Sequence, residues 1–256
     1  MTEAASPFHA RLVAREQLAA VQREEMFTLY RRHFDAADLA RFCADLDDKQ
    51  QVIEVRDAAG MLRGFSTLAC YRREFEGQPL RVLFSGDTVV DEASWGQQAL
   101  AFGFIRYAAQ TQAQSEEPLY WLLISKGHRT YRYLSAFSID YAPAPGQVMS
   151  PEQQRLMDFL ARDRFGSAYD AARGVVSFGV SLGHLRADLA AVPAIHAHLP
   201  EVAYFLERNP GYARGEELVC LCRIAADNLR PLARRVFTAA QRELRGADSS
   251  TRVVRA

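Results

Sequence analysis

An excess of charge of either sign is missing from this 256-residue chain: 31 Lys and Arg stand against 31 Asp and Glu. A neutral balance provides no general attraction to nucleic acid or to an anionic membrane surface, so neither is expected as a partner. No apolar run reaches the roughly 18 residues of a membrane-spanning helix, so no membrane span is expected. The start, MTEAASPFHARLVARE, lacks the apolar stretch of a secretory signal. Cysteine is sparse. Cys43, Cys70, Cys220 and Cys222 form no CxxC pair, and no His–Cys cluster has zinc spacing, so no metal is expected. Cys220 and Cys222 flank Leu221, a strand spacing that turns both thiols to one side. Read as buried small side chains, they fit a reducing, cytoplasmic setting. Repeats and low-complexity tracts are also lacking.

What is present is a 49% hydrophobic chain, enough for one large domain or one domain with an insertion. His9 to Glu16 alternates weakly and reads as a short strand. Gln17 to Phe34 carries a helical stripe through Leu18, Val21, Met26, Leu29 and Tyr30. Asp35 is placed to cap a second helix that buries Leu39, Phe42, Cys43 and Leu46. Gln51 to Asp57, Leu62 to Glu74 and the stretch from Leu80 then alternate as strands, separated by Ala58-Ala59-Gly60 and Glu76-Gly77-Gln78-Pro79 turns. Leu119 to Ser125, LYWLLIS, is the continuous apolar run of a strand covered on both faces. Gly127 to Phe137 reads as a short aromatic helix and Ser138 to Ala142 as a strand. Ser150-Pro151-Glu152 opens a helix with a capping Ser and Pro in its first turn. Ile195 to Arg208 reads as a helix broken near Pro200. Glu217 to Ala225 is the last strand and Leu229 to Leu244 a basic amphipathic helix. The chain before Phe8 and the tail from Gly246 are expected to be loose.

The stretch with most chemistry is Leu80 to Tyr107. A strand there runs through Val89 and Val90 into a polar corner, and a helical pattern begins at Trp95. Such a corner exposes backbone N–H groups at a helix start, where an anion such as a phosphate is held. Asp87 stands inside the apolar strand, where an unpaired carboxylate is costly.

The order of strand, two helices, three-strand meander, helix, buried strand and helix resembles the GCN5-related N-acyltransferase superfamily, over roughly Ala10 to Tyr141. The resemblance implies an α+β fold, a mixed and mostly antiparallel sheet flanked by helices. It divides the chain into a core of residues 8–142, a partly helical insertion of residues 143–216, and a closing strand and helix of residues 217–245. It implies acyl transfer from an acyl-CoA or acyl carrier protein thioester to an amine acceptor. The best local match, Thr88 to Leu100, implies that Val89, Val90, Trp95, Gly96, Gln97 and Gln98 hold the donor's arm. The family's phosphate turn has a second glycine where Gln97, Gln98 and Ala99 stand, a departure that leaves room for a carrier-bound donor. Lys126 to Phe137 matches the helix on which the family places a tyrosine that protonates the leaving thiolate; Tyr131 and Tyr133 compete for that role. Asp87, Glu74 and His128 are candidates for the base that takes the amine proton.

Two other readings come from different classes. One is a catalytically silent protein of the same fold that binds a ligand or partner. The other is a serine hydrolase, because Gly179-Val180-Ser181-Leu182-Gly183 has the letters of a nucleophile elbow; the preceding order is not the parallel series that an elbow needs. A Gly-rich lining for an acyl pocket, from Val175 to Gly183, is the plainer reading of that stretch.

Overall fold

The computed structural model describes residues 7–178 and 183–253, with side chains up to Gly246. In chain order the elements are β1 (Phe8–Ala14), α1 (Ala20–Tyr30), β2 (Phe34–Asp35), α2 (Leu39–Asp47), β3 (Gln51–Asp57), β4 (Leu62–Phe75), β5 (Gln78–Val90) and α3 (Ala99–Ala113). Then follow β6 (Leu119–Ser125), α4 (His128–Phe137), α5 (Pro151–Phe165), β7 (Tyr169–Asp170), β8 (Val175–Val176), β9 (His184–Leu185), α6 (Ala187–Ala190), α7 (Ala194–Ala197), α8 (Pro200–Arg208), β10 (Glu217–Ile224) and α9 (Pro231–Val253).

One eight-stranded sheet runs in the order β1-β3-β4-β5-β6-β10-β8-β7. Its pairs are antiparallel except β5 with β6, which α3 connects. A parallel pair needs a crossover of this kind, whereas the tight turns between β3, β4 and β5 give hairpins. The result is an α+β fold with a mixed, mostly antiparallel sheet flanked by helices. No helix among the described residues is long and apolar enough to cross a membrane.

Side-chain alternation assigns the helices to faces. Leu83 points toward α3, α4, α8 and α9, joining Phe104, Leu134, Phe205 and Phe237. Its neighbours Val82 and Phe84 point the other way, against Leu156, Met157 and Leu160 of α5. Beside α5, helices α1 and α2 cover the start of the sheet through Met26, Leu29, Phe42 and Leu46. Cys220 and Cys222 both fall on the α3 side and are buried, as their spacing requires.

Several boundaries differ from the sequence expectation. The helix expected from Trp95 begins at Ala99, after a short 3-10 turn at Glu92–Ser94. Asp38, not Asp35, caps α2, accepting from the Arg41 N–H at 2.8 Å. Ser138 to Ala142 makes only single bridges, Ser138 to Leu229 and Ala142 to Leu221; Pro143 and Pro145, which lack N–H groups, prevent a longer ladder. The last helix continues past Gly246 to Val253. Residues 1–6 and 179–182, and with them Ser181, lie outside the described residues.

Candidate active site at the parting of two strands

The β5–β6 ladder ends at Ser85 and Leu123. Beyond that point β5 stays with β4 as far as Val90 opposite Gly64, while β6 stays with β10 as far as Ser125 opposite Leu218. Each strand follows its antiparallel neighbour, so the two parallel strands separate. A cavity of about 420 Å³ lies at this parting on the α1–α2–α5 side, lined by Phe84, Gly86, Asp87 and Thr88 of β5, Ile124 of β6, Lys126 just beyond it, Glu217, Tyr30, and residues of α2 and α5.

A bulge aims β5 into that cavity. Ser66 faces Thr88 and Leu68 faces Ser85, so Gly86 and Asp87 together oppose Thr67 alone. The extra residue reverses the alternation beyond it: Val89 packs with Met26, Phe42 and Phe65 under α1 and α2. Gly86 is required there, since a Cβ would stand 2.7 Å from Thr67 Oγ1 and 2.8 Å from Lys49 Cε. Bulges that re-aim a side chain recur beside active sites.

Asp87 is the side chain thus presented. It lines the cavity and has no hydrogen-bond or ion-pair partner among the described residues. Withdrawal from water pushes its carboxyl up to about 7, while Lys126 pulls the other way and Asp45 and Glu217 add to the rise. Across the parting, Lys126 pairs with Glu217 at 3.4 Å and lies 5.4 Å from the Phe34 ring centre. Burial disfavours the Lys126 charge, but Glu217, Tyr30 and Asp87 outweigh it, so the ammonium is held above its ordinary range. The Tyr30 phenol is held protonated, first by burial and then by Asp87. Its ring is stacked on Phe34 at 4.5 Å.

Ion pairs already occupy much of the rim. Arg164 pairs with Asp48 and lies 4.2 Å from the Phe84 ring centre. The fully covered Lys49 holds Asp45 at 2.9 Å and Asp48 at 3.6 Å. Among cavity-lining groups, Asp38, Asp45, Asp48, Asp87 and Glu217 outnumber Arg41, Lys126 and Arg164. Lys49 behind Asp45 and Asp48, and the raised Asp87 carboxyl, offset most of that excess.

Of the catalytic and donor-arm residues singled out from sequence, Asp87 alone lines this cavity among the described residues; Phe178, from the stretch read as a lining for an acyl pocket, lines it too. Glu74 is exposed at the far end of β4, opposite Pro79. Tyr131 is fully buried, and its hydroxyl donates to the Pro143 carbonyl at 2.8 Å. Tyr133 packs against Phe137. His128 is buried, its ring centre 6.3 Å from that of His196; burial, then Arg129, His196 and Arg132, lower its imidazole to about 4, and its Nε2 lacks a partner among the described residues.

The expected donor-arm residues cluster where β5 leaves the sheet. Asp91 N–H pairs with the Arg63 carbonyl on β4, so the Val90 carbonyl faces the open side, where Trp95 Nε1 donates to it at 3.0 Å. His33 Nε2 lies 3.0 Å from the same oxygen. Gly96 has φ +89 with open space around it. The Ala99 N–H donates to the Gln97 side-chain oxygen at 2.6 Å, and Gln98 is the N-cap position of α3. Two backbone groups expected to meet a donor are thus satisfied by side chains of the same loop.

Sequence reading missed Tyr30, Lys126, Glu217 and Arg164. Lys126 and Glu217 left a signal: each stands at the end of a strand otherwise filled with apolar residues. Tyr30 and Arg164 left none, since each continues an ordinary amphipathic helix.

No family model and no curated protein matches the chain. Solved structures resemble it in part. A probable N-acyltransferase of Enterococcus faecalis is 14% identical over 52% of this chain and 33% of its own, with a TM-score of 0.38. A GNAT family N-acetyltransferase of Escherichia coli, in complex with CoA, is 16% identical over 52% of this chain and 70% of its own, with a TM-score of 0.36. N-myristoyltransferase of Saccharomyces cerevisiae with bound myristoyl-CoA is 14% identical over 47% of this chain and 30% of its own, with a TM-score of 0.37. The chain thus spans about a third of the length of the first and third. The fold itself is defined by the strand order and the parting of β5 from β6.

Proposed function

We infer that the protein transfers an acyl group from a thioester, acyl-CoA or acyl carrier protein, to an amine bound in this cavity. The observation that carries this reading is Asp87, turned by the bulge into the parting of β5 and β6 without a partner. A carboxyl pushed up to about 7 is matched to removing a proton from an amine near neutral pH. In the step proposed, Asp87 takes the proton as the amine nitrogen attacks the thioester carbonyl. The C–N bond forms, the C–S bond breaks, and the thiolate leaves. Lys126, held cationic across the parting, stabilises the negative charge that develops, and the Tyr30 phenol is the hydrogen-bond donor beside it. Tyr131 has no part in this scheme, because its proton is given to Pro143.

The test is thiol release from acetyl-, octanoyl- and palmitoyl-CoA and from an acylated carrier protein, with and without a panel of primary amines. Release that depends on the amine and falls about 10²–10⁴-fold in Asp87→Asn is expected. Release that ignores the amine, or survives the substitution, removes the reading. One observation favours a second reading, a silent protein of this fold: Trp95 and Gln97 already occupy the Val90 carbonyl and Ala99 amide. Thioester binding without turnover would mark it.

A further inference from the structure

A second cavity lies apart from the parting. It has a volume of about 380 Å³ and sits between the connector after α4, the first turn of α5 and the second half of α8. It shares no lining residue with the first cavity. Helix α4, about 15 Å long at 1.5 Å per residue, leads from Lys126 at the one to Asp140 at the other. A space of this size falls at the lower end of the range for small-molecule sites, about 300–1,000 Å³. Its charged lining residues are Asp140 and Arg208, and neither forms an ion pair with the other or with any described residue. The Asp140 carboxylate accepts from the Gln153 amide at 3.3 Å through Oδ2, and its Oδ1 has no described partner. Arg208 donates to the Arg173 carbonyl at 3.5 Å, which leaves most of its N–H donors unused. Asp140 is held in place: its N–H donates to the Asn228 side-chain oxygen and its carbonyl accepts from the Asn228 amide, both at 2.8 Å. Gln153 is held in turn by the capping box of α5. The Gln147 side chain and the Tyr204 hydroxyl, also on the lining, have no hydrogen-bond partner among the described residues. Val148 adds an apolar side chain that is 98% exposed. A single exposed charge is merely solvated. Opposite charges that share one concavity without neutralising each other match a molecule that carries both. Val148 offers that molecule an apolar surface to cover.

We propose that this second cavity binds a small zwitterion with an apolar side chain, its ammonium on Asp140 and its carboxylate on Arg208. The ammonium takes the Asp140 oxygen that Gln153 leaves open, and the carboxylate takes the planar guanidinium fork. Gln147 and Tyr204 supply neutral hydrogen bonds. A free α-amino acid and a dipeptide share this chemistry. The site stands whether or not thioester transfer takes place at the parting.

Calorimetric titration of the full chain with leucine, phenylalanine and leucyl-leucine tests this, beside leucinamide, which lacks the carboxylate, and 4-methylpentanoate, which is leucine without its amine. At least one of the three zwitterions is expected to bind about tenfold or more tightly than either truncated analogue. Arg208→Gln should remove the preference over leucinamide, and Asp140→Asn the preference over 4-methylpentanoate, each leaving the other preference in place. Both side chains are exposed, and Asn228 holds the Asp140 backbone, so both variants should fold; the preference that each retains shows that it has. Tightest binding of leucyl-leucine identifies a peptide as the occupant, tightest binding of leucine or phenylalanine a free amino acid, and either supports the proposal. Binding that is lost in Asp87→Asn and kept in Arg208→Gln and Asp140→Asn belongs to the first cavity and overturns it. Equal affinity for zwitterions and truncated analogues overturns it as well, as does binding of none of the three.

Discussion

Replacing Asp87 by Asn offers a test that needs no knowledge of the substrate. The carboxyl is raised from 3.8 to about 7 in the folded protein. Asn keeps the shape and cannot ionise. At a pH below about 4 the acid is neutral in both folded and unfolded chains, and wild type and variant should differ little. Between 3.8 and about 7 the unfolded chain has released the proton while the folded protein retains it. The folded state then binds more protons, so wild-type stability must fall as pH rises through this window and level off above it. A rise of about three units corresponds to a ceiling of ~4 kcal/mol at 1.36 kcal/mol per unit. Asp87 keeps some contact with water, which screens its charge, so a difference of about 2 kcal/mol is expected. Urea unfolding of both proteins at about pH 4, 6 and 8 measures it. Asp87→Asn should gain on the wild type as pH rises. A gap that is constant with pH, or that closes, would refute the account of Asp87 as an unpartnered carboxyl in the parting.

Glu217→Gln leaves the Lys126 ammonium without its carboxylate and should cost about 3 kcal/mol by urea unfolding. Because Glu217 raises the Asp87 carboxyl, the rising limb of the pH–rate profile should also move to lower pH. Gly86→Ala places a Cβ against Thr67 and Lys49 and should destabilise by about 1–3 kcal/mol; an unchanged unfolding midpoint would contradict the close packing of the bulge. Tyr131→Phe should lose about 1 kcal/mol with its bond to Pro143 and keep its rate of thiol release, and a rate loss of about 100-fold would return Tyr131 to the chemistry.

Much of the frame was legible because its signals are local. Gln51–Asp57 and Leu119–Ser125 are strands at the limits read from sequence, one from alternation bounded by a turn and the other from an unbroken apolar run. Ser150 and Gln153 form the capping box that opens α5, as the Ser-Pro-Glu start suggested. The start of α3 was misplaced by four residues because Trp95 to Gln98 have a helical look in sequence, while Gly96 takes a left-handed φ and Gln97 turns back on the Ala99 amide. Tyr131 and Tyr133 were read as exchangeable. Tyr131 is drawn into the core by Pro143, a contact twelve residues away. The carboxylate Asp87 was picked out for its cost in an apolar strand, and that cost is a property of composition alone.

By itself the sequence determined the order of elements, their buried faces and the presence of a charge where charge is expensive. All of these follow from backbone periodicity and from desolvation, which act within a few residues. Only the tertiary structure decided that β5 and β6 separate after Ser85, that a bulge opposite Thr67 turns Asp87 into the opening, and that Lys126 and Glu217 meet it from the other side. Those outcomes depend on which strand each one follows and on packing between residues distant in the chain.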